Sequence, residues 1–194
     1  MKKLLLTSTI LFVFANNFIY SQVVTNENNF IFSQSFSKEI ALYNAKAFLF
    51  QNILGSSTEI VQFEVIPLAS AVSGELTTLI YKCDSKQKEG MILGFYGDYW
   101  NEAGVVYKGF AFKNLDKIQA IEFLAKIQNA INENSKYLLA DLNNNNIFFK
   151  YDDIDILIST TATYEIRLFW NNFDSSWGNT AFERSKKRFE KGIK

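Results

Sequence analysis

The sequence predicts an α+β fold: a mainly antiparallel sheet of about seven or eight strands, two amphipathic helices packed on one face of it, and a short basic helix at the C-terminus. Three observations predict it. Apolar residues recur at three- and four-residue steps in two windows, 38–54 and the stretch after Asn114, which is the repeat of a helix with one buried side. Short segments rich in β-branched and aromatic residues come in two runs, at 59–113 and 147–170, separated by only a few turn residues. Strands joined that closely pair as antiparallel meanders. Finally, helices and strands are grouped, whereas a parallel doubly wound sheet needs regular alternation.

At the start of the chain, Lys2 and Lys3 precede an apolar run at 4–14, and no Asp or Glu occurs before Glu27. A membrane-spanning helix needs about 20 apolar residues, so the run fits the core of a secretory signal peptide instead. The expected cut follows Ser21, although Ile19 departs from the usual small-x-small pattern, and no cysteine lies nearby to accept a lipid. Residues 1–21 are therefore expected to be removed. The product is expected to be exported, periplasmic or secreted, and free of the membrane, with residues 22–194 forming a single domain.

Residues 22–36 read as a loose N-terminus leading into a short strand at 30–32. Ser37 is expected to cap a helix at 38–54, where Ile40, Tyr43, Ala47, Phe50 and Leu54 keep the helical step and Gly55 ends it. Strands follow at 59–66, 75–83, 90–97 and 104–113, bounded by Pro67, Gly74, the polar stretch 84–88 and the stretch 101–104. Asn114 is expected to cap the second helix. There Ala120, Phe123, Leu124, Ile127, Ala130 and Ile131 share one face, and Glu122, Lys126, Asn129 and Glu133 share the opposite one, so the helix should lie on a sheet. An Asn-rich stretch at 143–146 leads to strands at 147–152, 154–160 and 163–170, the last alternating cleanly. Thr180 with Glu183 forms a capping-box pattern for a final helix that turns Phe182, Phe189 and Ile193 to one side. FIFSQSFSKEIALYNAKAFLF and YKGFAFKNLDKIQAIEFLAKI both read as aromatic strand, polar cap and amphipathic helix, which suggests two weakly related halves, about 29–113 and 104–194.

Composition narrows the chemistry. The chain balances 20 basic against 20 acidic residues, and loss of Lys2 and Lys3 leaves about −2, so nothing points to nucleic acid as a partner. Cys83 is the single cysteine and reads as a small core residue, so no internal disulfide can form. There is no histidine. Ser-His-Asp and Cys-His catalysis are excluded, and zinc sites, which draw on His or several Cys, are disfavoured. No glycine-rich phosphate loop occurs, and no cofactor is expected. What remains is carboxylate chemistry by residues such as Glu64, Glu75, Asp98, Glu102, Asp152, Asp153 and Asp155.

Three further patterns offer sites. Asp141, Asn143 and Asn145 fall at positions 1, 3 and 5 of a twelve-residue loop ending at Asp152, as oxygen ligands of calcium do. Asn146 stands where such a loop wants Gly and Asp152 where it wants Glu, so the preferred reading is a polar loop and no metal is expected. Aromatic rings cluster in GFYGDYW and WNNFDSSW; Tyr99 and Trp100, expected in a loop, are the ligand-binding candidates, with sugar as the fitting chemistry. Residues 183–194 carry about +4 and leave about −6 on 22–182, which makes Arg184, Lys187, Arg188 and Lys191 the candidate partner-facing basic patch. The sequence thus favours a non-enzymatic exported binding or interaction domain, whose partner would be an acidic protein or glycan. The alternative is a carboxylate-based glycan-acting enzyme.

Overall fold

A helix followed by a four-stranded antiparallel meander occurs twice along the chain. The computed structural model describes residues 31–32, 38–69, 75–100 and 106–193; the expected signal peptide lies outside them. In the first unit, α1 (Lys38–Phe48) runs on through a π-helical turn (Leu49–Leu54) to Gly55, whose φ of 76° suits a residue without a Cβ. Then come β2 (Glu64–Pro67), β3 (Leu76–Cys83), β4 (Lys88–Trp100) and β5 (Val106–Asp116). A short β1 (Ile31–Phe32) pairs with β5, Ile31 opposite Phe110, and gives the order β1-β5-β4-β3-β2. In the second unit, α2 (Lys117–Ala140) leads to β6 (Asn146–Tyr151), β7 (Ile154–Thr160), β8 (Tyr164–Trp170) and β9 (Phe173–Gly178), which pair in that order. A last helix, α3 (Asn179–Gly192), follows.

The α+β class and the antiparallel pairing are as the sequence predicts, but the strands divide into two sheets and the helices do not share one face. The reason lies in the central strands of the first sheet. In β3 every residue except Thr77 and Lys82 is buried, and in β4 Gly90 to Phe95 are buried without a break. A strand buried on both faces needs a cover on each. On the outer face, Leu79, Tyr81, Ile92, Phe110 and Phe112 pack against Ala45, Phe48, Leu49 and Leu54 of the first helix. On the inner face, Ile80, Met91, Leu93 and Phe95 join a core with Phe123 and Ile127 of α2, Ile156, Ile166 and Trp177 of the second sheet, and Phe182 and Phe189 of α3. Trp177 sits at its centre, stacked on Phe123 at 6.3 Å and edge-on to Phe182 at 5.1 Å. The second sheet alternates instead: β7 buries Ile154, Ile156 and Ile158 and leaves Asp155 and Leu157 half exposed, so its outer face is uncovered.

Element boundaries differ from the sequence expectation at both later helices. Asn114 is still in β5, opposite Ile92, and the cap of α2 is Asp116, whose carboxylate accepts from the Gln119 N–H at 2.9 Å while the Gln119 side chain accepts from the Asp116 N–H at 3.0 Å. The Thr180–Glu183 capping box does not form, because α3 starts two residues earlier, behind Gly178, with no side-chain cap. Tertiary contacts hold α3 instead: the Ser185 hydroxyl reaches the Ala69 carbonyl at 3.1 Å, which also accepts from Thr78 at 3.0 Å.

Candidate functional site

The buried side of α3 consists of Ala181, Phe182, Ser185 and Phe189. Arg184, Lys187, Arg188 and Lys191 are all exposed. Spacings of three (184–187, 188–191) and four (184–188, 187–191) residues keep them on one stripe of the helix, about 10 Å long at 1.5 Å per residue. Lys186 stands off that stripe and forms an ion pair with Glu190 at 2.7 Å, whereas none of the four pairs with a carboxylate among the described residues. Lys191 in the last turn also lies against the negative end of the helix dipole. The structure therefore brings the four predicted basic residues together, none of them in an ion pair among the described residues, on a firmly docked helix.

Tyr99 and Trp100, expected in a loop, stand instead on the last residues of β4, opposite Tyr107 and Val106. The hairpin continues there because β4 and β5 pair beyond Phe95, the last β4 residue that β3 reaches; the side chains of Tyr99 and Trp100 lie outside the described ones. The rings of WNNFDSSW serve packing: Phe173 and Trp177 are buried, and Trp170 rests on Phe95 at 5.1 Å between ring centres.

Trp170 leads to a cluster that sequence reasoning missed. Its indole N–H donates to Asp153 at 2.9 Å, and Lys113 from β5 donates to Asp153 at 2.6 Å and to Asp152 at 2.8 Å. Partial burial favours the neutral forms of both Asp153 and Lys113, but the hydrogen bonds and opposite charges outweigh it, so the Asp153 carboxyl is held below the ordinary aspartate value and the Lys113 ammonium above the ordinary lysine value. An aspartate held in its ionised form cannot donate a proton near neutral pH. The cluster is a cross-sheet lock, not a general acid. Two adjacent aspartates at a hairpin turn were visible in the sequence, but nothing local to them points to a lysine 39 residues away.

The calcium pattern is dismantled by a strand. Asp141 and Asp152 flank β6, whose six residues separate them by about 20 Å. Asp141 instead accepts from the Asn144 amide at 3.0 Å, Asn145 donates back to the Tyr137 carbonyl at 2.7 Å, Asn143 turns with a φ of 74°, and Asp152 is held by Lys113. Among the described residues no group of three or more acidic or cysteine side chains could hold a metal ion. An open polar groove of about 600 Å³ lies at the edge of the first sheet, lined by Phe63, Glu64, Lys82 and Asp84. No helix among the described residues is long and apolar enough to cross a membrane. Comparison with protein-family models, with curated proteins and with solved structures gives no match to this chain.

Proposed function

We propose that the chain is an exported, non-enzymatic interaction domain that holds an anionic partner, an acidic protein or an acidic glycan, against the exposed side of α3. The observation that carries this reading is the stripe of Arg184, Lys187, Arg188 and Lys191, exposed and without an ion pair among the described residues, on a helix anchored by two fully buried phenylalanines. Four cations in a row attract a polyanion at long range, and the two guanidinium groups add forked hydrogen bonds to carboxylate, sulfate or phosphate oxygens. Such binding weakens with salt, since exposed charges are screened within about 8 Å at physiological ionic strength.

The test is charge reversal on the processed protein. Lys187→Glu with Arg188→Glu leaves stability within about 0.5 kcal/mol per site, as exposed substitutions do, and abolishes a salt-sensitive association with envelope components. A doubly reversed variant that retains every native partner overturns the assignment of the stripe; intact-mass analysis should show a secreted form beginning at or near Gln22, and recovery of a full-length, membrane-embedded protein overturns the export. A second reading, a carboxylate-based glycan-acting enzyme, is favoured by one observation only, the groove that Glu64 and Asp84 share. Glycan cleavage lost in both Glu64→Gln and Asp84→Asn would establish it.

A further inference from the structure

The free edge of the second sheet and the exposed side of α2 form one continuous surface. β6 is the end strand of its sheet. The Lys150 carbonyl accepts from the Lys126 ammonium at 2.8 Å and so points away from β7; backbone groups alternate in direction along a strand, so those of Asn146 and Phe148 point outward too. The Phe148 ring itself is 68 % exposed. Beside the strand runs a groove of about 680 Å³, walled by Ala125, Lys126, Asn129, Ala130 and Glu133 of α2.

Helix and strand run side by side in opposite directions and in step. Lys126 meets Lys150 near one end, and Asn145 donates to the Tyr137 carbonyl at 2.7 Å near the other. The intervening stretches, 126–137 at about 1.5 Å per residue and 145–150 at about 3.3 Å, are both about 16.5 Å long. Phe148 therefore lies level with a point close to Ala130.

We propose that this surface takes a second copy of the chain, β6 pairing antiparallel with its twin about a two-fold axis through Phe148. Each Phe148 N–H then meets the carbonyl of the other Phe148, Asn146 lies opposite Lys150 of the second copy, and Ile147 lies opposite Phe149 on the groove side. The same axis sets the two α2 helices antiparallel at the level of Asn129 and Ala130. Lys126 and Glu133 stand at equal steps on either side of the midpoint between those two residues, so Lys126 of each copy meets Glu133 of the other, twice. Small side chains at 125, 129 and 130 let the helices approach. Glu133 has no ion pair among the described residues, and Lys126 exchanges the Lys150 carbonyl, which strand pairing needs for Asn146 of the second copy, for that glutamate. One axis thus satisfies strand register and helix charge together, which is the self-complementarity a closed two-fold interface requires. An arbitrary partner segment would satisfy only the strand.

The test is sedimentation velocity of the processed protein over a range of concentrations. The wild type forms a reversible dimer. Phe148→Asp abolishes it, and Lys126→Glu alone and Glu133→Lys alone each weaken it at least about tenfold, because like charges then face each other twice across the axis. The two single variants, mixed in equal amounts, pair with each other, and the Lys126→Glu/Glu133→Lys double variant dimerises again. Circular dichroism verifies that each variant is folded, and Glu133→Lys, which breaks no ion pair or hydrogen bond among the described residues, keeps the test sound if Lys126→Glu perturbs β6. A wild type that stays monomeric at every concentration, a dimer that survives Phe148→Asp, or single variants that fail to pair with each other would each overturn the proposal.

Discussion

Lys113 shows how much one side chain can tie together. It reaches from β5 in the first sheet to Asp152 and Asp153 at the β6–β7 turn of the second, and Trp170 completes the contact through Asp153. Because the folded Asp153 titrates below 3.8, its ordinary value, its contribution to stability is present above that value and is lost as pH falls through the folded one. Lys113, raised above 10.5, contributes below that value and loses its share only as pH rises past the folded one. The lock is therefore constant through neutral pH and opens in acid. Between about pH 6 and about pH 3 the urea midpoint of the wild type should fall further than that of Lys113→Met; equal falls would mean that the contact contributes nothing in solution. At this scale the sequence was legible where chemistry is local. The basic stripe of α3 follows from helical spacing alone, and the strand that separates Asp141 from Asp152 is the one its sequence marks at 147–152, whereas the Lys113 cluster depends on how two sheets meet.

For single elements, legibility follows the hydrophobic repeat. The three helices and strands β1 to β8 were foreseen, with ends moved by a few residues, but the first helix buries Ala45, Phe48, Leu49 and Leu54 and leaves Tyr43 and Phe50 of the expected repeat exposed. Strand β9 was not, because FDSSWG lacks the β-branched residues that mark strands. The stronger indication was the pair Asn171 and Asn172, whose φ values of 48° and 64° make the left-handed two-residue turn that joins twisted strands. The unbroken apolar run in GMILGFY likewise separates a strand covered on both faces from the alternating IDILIST of β7, in which Ile154, Ile156, Ile158 and Thr160 turn inward. Gly90 within that run is required by space: a Cβ there would collide with the Leu115 carbonyl and the Tyr81 ring. Helix α3 is docked chiefly by its rings, since it has no side-chain cap. Phe189→Ala should therefore destabilise the protein by about 3 kcal/mol in urea unfolding, and a variant that unfolds like the wild type would show the helix undocked.

Taken whole, the molecule has two sheets but its larger core belongs to both units. Met91, Leu93, Phe95 and Leu115 of the first are covered by α2, α3 and the second sheet. A fragment spanning residues 22–116 would leave that apolar face in water, so it should show no cooperative unfolding transition, while the full domain should unfold in one. A fragment that melts cooperatively would mean the units are separate domains. Sequence periodicity could count the strands approximately, but not foresee their division into two sheets. That division depends on which faces have to be covered, a property of the assembled layers.

The short strand β1 carries a consequence for the route by which the chain reaches this fold. Every other strand pairing among the described residues joins neighbours in sequence, so each hairpin closes across a small loop and can form early at little entropic cost. Ile31 opposite Phe110 closes a loop of nearly the whole first unit for two residues of ladder. That pairing should be the last to form and the first to open, so the amides it shelters should exchange with solvent well before those at the centre of β4. Pairing of Ile31 and Phe32 then waits until β5, made about eighty residues later, is already held by β4.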